Sequence, residues 1–220
     1  RKKHVIYILG TFAFFLFTIS DTIIKLIGDL YKDTVIFSIA SFSALIPVCI
    51  YLLYRKSLEE IKTRNYKLHI VRGILMTLTY YFIVKGIILL PLSIAYPIIL
   101  SAPVLLSVLG ILILKESINL SKIISLVLAM AAVFLVSGFS LSVGFNAQGV
   151  LFLVLGVISV ACLEFSVRVY GKFERTVALT FYSMLFTGFI FFIFSINHFK
   201  NILLKDIFVM VIAGLLDGMA

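Results

Sequence analysis

Seven long apolar stretches follow one another along this chain with only short polar breaks, at residues 4–27, 34–54, 68–89, 91–114, 123–139, 149–169 and 176–196. Each is close to the ~20 residues that a helix needs to cross a bilayer. Composition agrees. The chain is 62% apolar and 13% charged, with a mean hydropathy of +1.20, where a soluble domain is roughly 45–50% apolar and about 25% charged. A water-soluble globule cannot hide that much apolar surface, and disorder requires the opposite composition. The fold class is therefore an all-α integral membrane protein, a multi-span helical bundle.

An eighth apolar stretch starts near Ile207 and reaches Ala220 after 14 residues. At 1.5 Å per residue it falls short of a ~30 Å hydrocarbon layer. With Arg1 rather than methionine in first place, the sequence reads as a piece of a longer protein. Orientation follows from Lys and Arg. With the N-terminus in the cytoplasm, 13 of the 19 basic residues fall in inside segments, and only Lys32, Lys200 and Lys205 fall outside. That bias in short loops favours a cytoplasmic N-terminus. It also explains the net charge of +9 without invoking nucleic acid, because the basic residues sit between spans.

Cys49 and Cys162 lie inside apolar runs, so a secreted disulfide framework is absent. The first run lacks a small-residue cleavage site, which argues against a signal peptide. His4, His69 and His198 stand at span ends without metal-ligand spacing, as solvated or snorkelling histidines do. Neither a Walker loop nor a G-x-S-x-G elbow is present. Asp217-Gly218-Met219-Ala220 echoes the start of a phosphatidyltransferase motif, with the wrong alanine spacing. No enzyme chemistry, metal or cofactor is implied.

A repeat is visible. Asp21-Thr-Ile-Ile-Lys25-Leu-Ile-Gly28 and Glu164-Phe-Ser-Val-Arg168-Val-Tyr-Gly171 both read acid-x-x-x-base-x-x-Gly, so that one constant offset relates all three pairs of positions. Each stands late in a span and is followed by a short loop. Five spans per unit is an odd number, so the second copy enters the membrane from the opposite side. Inverted repeats of this kind characterise secondary transporters, whose halves rock about a site near the midplane. The expected units are residues 1–139, a first five-helix repeat, and residues 148–220, a second repeat truncated in its third helix. Together they make about 7.5 of ten helices.

Charges inside spans cost roughly 2.5–3.5 kcal/mol each at mid-helix, which makes them the informative residues. Asp21 with Lys25, and Glu164 with Arg168, are i,i+4 pairs in the favourable order. Each pair either neutralises itself or offers a carboxylate to a proton or cation. Arg72, Thr79 and Tyr80 share a face of span three. Arg72 is either a snorkelling anchor or a cation lining a cavity, and Lys85 reads as interfacial. In span four, Ser93, Tyr96, Leu100, Pro103, Ser107 and Gly110 form a stripe of small and polar residues. Such a stripe serves close helix packing or a pathway wall, and Pro97 and Pro103 kink the helix that carries it. Asp217 is a further buried carboxylate candidate. With no Trp, tyrosines such as Tyr31 and Tyr66 supply the interfacial belt, while Tyr80, Tyr81, Tyr96 and Tyr182 lie deeper and need partners.

Arg72-Gly73, Leu90-Pro91-Leu92-Ser93-Ile94-Ala95, Pro103 and Leu114-Lys115-Glu116 together resemble the drug/metabolite transporter superfamily, in its EamA-type ten-helix branch. Lys25 resembles a lysine frequent in that family's first helix. The family's second-helix arginine is absent from Ile39-Ala40-Ser41-Phe42, and Ser125 and Ala131 replace usual fifth-helix glycines. The resemblance implies two inverted five-helix repeats, cytoplasmic termini and a central cavity. It implies a secondary transporter moving a small polar metabolite, an amino acid or similar, across the inner membrane by alternating access. The alternatives are a drug/proton antiporter of the same superfamily and a non-transporting membrane subunit. The expected partners are the lipid bilayer and a small-molecule substrate, with a homodimer allowed.

Overall fold

The structure, a computed structural model, describes residues 2–63, 65–116, 120, 123–124, 127–128, 131, 146–171, 173–199 and 202–219. The helices are α1 (Lys2–Gly28), α2 (Asp33–Tyr54), α3 (Tyr66–Leu89), α4 (Leu92–Ile99), α5 (Ala102–Leu114), α6 (Ala147–Tyr170), α7 (Thr176–Ser195) and α8 (Leu204–Met219). Short 3₁₀ turns at Leu58–Ile61 and Ile196–His198 follow α2 and α7. No strand occurs among the described residues. Six spans there are long and apolar enough to cross a membrane, with Leu92–Leu114 counted as one. The expected fifth span, with Ser125, lies largely outside the described residues.

Helix boundaries follow local chemistry. Asp33 opens α2, where a carboxylate complements the positive end of the helix dipole. Asn146 caps α6 by accepting from Gly149 N at 3.1 Å. The fourth span departs from the expected single kinked helix: it is two helices, broken at Leu100-Ser101. Pro103 is the cause, since its ring has no N–H to give and would collide with the carbonyl four residues back. It sits instead in the first turn of α5, where no such bond is needed. The Ser101 hydroxyl donates to Ile98 O at 2.6 Å across the break.

The contacts divide the chain into two units. The first comprises Arg1–Thr77 and Glu174–Ala220. There α2 runs antiparallel to α7: Phe37 meets Phe191 with ring centroids 4.8 Å apart, Phe42 meets Phe189 at 5.4 Å, and Ala44 and Leu45 pack with Met184. On another face α2 runs parallel to α8. Gly214 and Gly218 lie directly against the Ala40 and Ala44 carbonyls, with no room for a methyl group. Small residues four apart permit such close approach in membranes. The α1–α8 pair is joined by Ser20, whose hydroxyl donates to Ala213 O at 3.1 Å. The first half of α3 sets Gly73 beneath Phe186 of α7.

The second unit is Leu78–Phe173. Its core is Ile87, Leu90, Ala95 and Leu153, flanked by Ile83, Ile94 and Val150. Gly86, Gly149 and Gly156 bring α3 and α6 together, antiparallel, against Leu153, Leu90 and Ile83. Large apolar side chains such as Phe12, Phe15 and Leu112 remain exposed, as a surface that meets lipid requires.

Candidate functional site

Polar groups line the interior of the first unit. Ser38, Ser41 and Ser43 on α2, Arg72 on α3, Ser183 and Thr187 on α7 and Asp217 on α8 are all buried. Ser43 and Ser183, and the half-buried Thr77, return their proton to a carbonyl of their own helix: Ser43 to Ile39 at 2.7 Å, Thr77 to Gly73 at 2.8 Å and Ser183 to Leu179 at 2.7 Å. This habit satisfies the donor without cross-linking helices. Thr187 instead donates across to Gly73 O at 3.4 Å, next to Arg72 in the chain, and its oxygen lies 3.3 Å from the Thr77 hydroxyl, which is placed to donate to it. Ser41 Oγ is buried with no hydrogen-bond partner, which costs about 1–3 kcal/mol in an apolar interior.

Of the residues expected along a pathway, Asp21, Lys25, Arg72 and Asp217 belong to this unit. The α1–α8 pair brings Asp21 and Asp217 to one helix pair, with Asp21 and Lys25 half-buried. Arg72 is only 4% exposed, so its guanidinium lies within protein. A snorkelling anchor would keep that head in water.

Thr79, Tyr80, Ser93, Tyr96, Pro97, Pro103, Ser107 and Glu164 belong to the second unit. Thr79 and Pro97 are buried, Tyr80, Tyr96 and Ser107 half-buried, and Ser93, Pro103 and Glu164 exposed. The break in span four divides the expected stripe, with Ser93 and Tyr96 on α4 and Pro103, Ser107 and Gly110 on α5. Ser107 donates to Pro103 O at 2.8 Å. Arg168 does not close the expected pair with Glu164; it reaches Glu116 at 3.4 Å. Lys115, with φ 54°, turns the chain back after α5, and Glu116 N bonds Gly110 O at 3.3 Å. The ion pair then lies over Gly110, where a methyl group would stand 3.0 Å from Glu116 Oε2 and 3.2 Å from Arg168 Nη1.

Sequence reasoning missed a cluster in the first unit. His69, expected as a solvated or snorkelling residue, is 1% exposed. Its Nε2 lies 2.9 Å from Thr63 Oγ1 and 3.8 Å from Glu174 Oε2, and its ring packs 4.6 Å from that of Tyr182. Thr63 donates to Glu174 Oε1 at 3.0 Å, and Arg175 approaches Glu60 at 3.7 Å. The contributing segments are far apart in the chain, so no spacing announces them. No group of three His, Cys, Asp or Glu residues among the described residues is placed to hold a metal.

At the other end of α2, Tyr31, read as a belt residue, donates to Asp206, and this hydrogen bond holds its phenol above the usual tyrosine range. Lys32 donates to His198 Nε2 at 2.9 Å. In the α2–α3 connection Lys62 bonds Glu59 at 2.9 Å and holds that carboxyl below its ordinary value. An open groove of about 550 Å³ runs along α8, lined by Leu204, Lys205, Ile207, Phe208 and Val211. It touches none of the expected pathway residues.

A model of the EamA-like transporter family matches residues 4–138. The chain belongs to the EamA-like transporter family. No curated protein and no solved structure matches it. This EamA-like chain is thus a multi-pass membrane protein of the drug/metabolite transporter superfamily. Arg72, Thr79, Tyr80, Tyr96 and the Glu116 that pairs with Arg168 all fall within the matched residues.

Proposed function

We propose that this EamA-like protein is a secondary transporter that carries a small polar metabolite, an amino acid or a similar zwitterion, across the inner membrane by alternating access, with its N-terminus in the cytoplasm. The observation that carries the reading is a second copy of one helix boundary. Gly28 closes α1 and Asp33 opens α2; in the second copy Gly171 caps α6 and Thr176 opens α7. The offset from Gly28 to Gly171, and from Asp33 to Thr176, is the one relating Asp21-x-x-x-Lys25 to Glu164-x-x-x-Arg168.

Helix pairing supports the same reading. Exchange α1 with α6, α2 with α7 and α3 with α8, and the packing maps onto itself. α8 packs on α1 and α2, α3 packs on α6 and α7, and α2 pairs antiparallel with α7. Repeats at residues 1–139 and 148–220 that enter lipid in opposite senses would produce this pattern, and such repeats characterise carriers whose halves rock about a shared site. The excess of Lys and Arg in alternate short loops supports the cytoplasmic N-terminus.

Within this reading Asp21, Arg72, Tyr80, Tyr96 and Glu164 provide polar contacts along the pathway, and Pro97 and Pro103 shape its fourth span. Charges of both signs among them motivate a zwitterionic cargo. A thermal-shift screen of small metabolites identifies the ligand, and flux of that ligand into proteoliposomes tests the sites. Tyr96→Phe and Arg72→Gln should each lose most of the flux while keeping wild-type helix content. Unchanged flux in both removes these residues from the pathway. A channel or subunit without carrier activity would show no saturable, trans-stimulated exchange.

A further inference from the structure

Two short connections occupy equivalent places in the proposed repeat, and each ties down the start of a helix from the other half. Before α2, Tyr31 bonds Asp206 beside the start of α8, and Lys32 reaches His198 just beyond α7. Before α7, at the offset that relates the two charge motifs, Glu174 and Arg175 take the places of Tyr31 and Lys32. Glu174 accepts from Thr63 beside the start of α3, and Arg175 reaches Glu60 just beyond α2. Because α2 and α7 are antiparallel, the two ties lie at opposite ends of that helix pair.

Only the second tie contains a buried imidazole, and its protonation state can be read from the hydrogen bonds. A threonine hydroxyl has one proton and two lone pairs. Thr63 gives its proton to Glu174 and accepts from Asn65 N at 3.0 Å. Its contact with His69 Nε2 at 2.9 Å must then be a bond that His69 donates. The neutral ring therefore carries its proton on Nε2, which leaves Nδ1 as a bare lone pair. Nδ1 is buried with no hydrogen-bond partner.

A proton added to Nδ1 would create an N–H with no acceptor and a cation in a pocket closed over by Tyr182. The charges that face it are Glu174, already engaged by Thr63, and Arg72, one turn further along α3. Glu60 and Arg175 pair with one another. Attraction to the single carboxylate is opposed by the guanidinium, by burial and by the unmet N–H.

We propose that Thr63, His69 and Glu174 form an acid-released latch, in which neutral His69 holds the α2–α3 connection against the α6–α7 connection. A proton from the adjoining water that bonds to Nδ1 drives the ring out of its pocket and frees this end of the helix pair. In the opposite tie the imidazole, His198, is exposed and meets only Lys32, while the Tyr31–Asp206 hydrogen bond contains no imidazole and stays shut. The latch makes one end of the bundle more open in acid, whatever the cargo.

The test reads distance rather than flux, so its failure leaves the carrier reading untouched. Spin labels at Leu58→Cys and Thr176→Cys, two exposed positions flanking the latch, are placed in the full chain with Cys49→Ala and Cys162→Ala. Pulsed distance measurements in lipid nanodiscs then compare about pH 7.5 with about pH 5, either side of the ordinary imidazole range. The long-distance population should rise about tenfold in acid, as one buried unpaired N–H demands. In His69→Gln, whose amide preserves the donor to Thr63 but takes up no proton, it should stay at the neutral-pH level. Equal distances at both pH values in the parent protein, or an undiminished acid response in His69→Gln, overturn the proposal. Should His69→Gln not fold, Thr63→Val serves: it should already be loosened at neutral pH, and a parent-like distribution there is equally fatal.

Discussion

Replacing Gly214 by alanine puts a methyl group into the tightest helix contact of the first unit. The new Cβ would stand 2.7 Å from Ser43 Cβ and 2.8 Å from Ala40 C, and closer still to the Ala40 carbonyl oxygen, whereas ordinary contact begins at 3.4 Å. Backbone atoms of α2 cannot swing aside, so α2 and α8 must part by more than the 0.6 Å between 3.4 Å and the 2.8 Å at Ala40 C, because the carbonyl oxygen lies closer still. A gap of that order forfeits roughly a quarter to a half of the dispersion attraction across the seam. Overpacking of this kind costs typically 1–3 kcal/mol. Alanine recovers at most about 1 kcal/mol over glycine in a helix. The expected net loss is about 1–2 kcal/mol. Gly10 supplies the control, because a methyl group there meets nothing within 4 Å, and Gly10→Ala should be neutral or stabilising by up to ~1 kcal/mol. Reversible unfolding of the detergent-solubilised protein by SDS, followed by circular dichroism, measures both. If Gly214→Ala matches the parent, or if Gly10→Ala falls as far, the seam does not have the geometry described.

Three further outcomes follow from the same structure. Gly86→Ala should cost less than Gly214→Ala, because its methyl group meets chiefly the movable Leu153 side chain; the same titration ranks the two. A double-mutant cycle on Arg168→Gln and Glu116→Gln should return a coupling below about 1 kcal/mol, since both side chains are about one-third exposed, at 33% and 37%, whereas Arg168→Gln with Glu164→Gln should couple less. The tie between Tyr31 and Asp206 should be fully present below the ordinary tyrosine range of about 10 and be lost as pH rises through the elevated value. A difference absorbance titration of the parent against Tyr31→Phe should therefore have its midpoint above that range, and Asp206→Asn should bring it back.

Six of the expected spans and most of their boundaries were legible in the sequence because each is a local property. Runs near 20 apolar residues have no alternative in lipid, and the boundaries at Gly28-Asp33 and at Gly171-Thr176 stand at the same offset as the two acid-x-x-x-base-x-x-Gly segments. Span four was half legible: its prolines announced a disturbance, and the position of Pro103 relative to the carbonyl behind it turned a kink into a break. Arg72 was identifiable as a charge at odds with its surroundings, although not as one buried to 4%.

Partnerships were a different matter. Arg168 stands one helical turn from Glu164, the spacing that favours an intrahelical pair, yet it turns to Glu116, on a segment far back along the chain. That choice was made by Gly110, which leaves room for the pair, and by Lys115, whose left-handed turn brings Glu116 back. His69, one residue among three unremarkable histidines, became a buried donor because Glu174, from a distant segment, and Thr63, in the loop before α3, meet around it. A single chain encodes how often it must cross a membrane through the transfer free energy of each residue taken separately. Which of its few polar groups face one another depends on the distances between helices, and glycines such as Gly214, whose contribution is the side chain it lacks, set those distances only once the helices are packed.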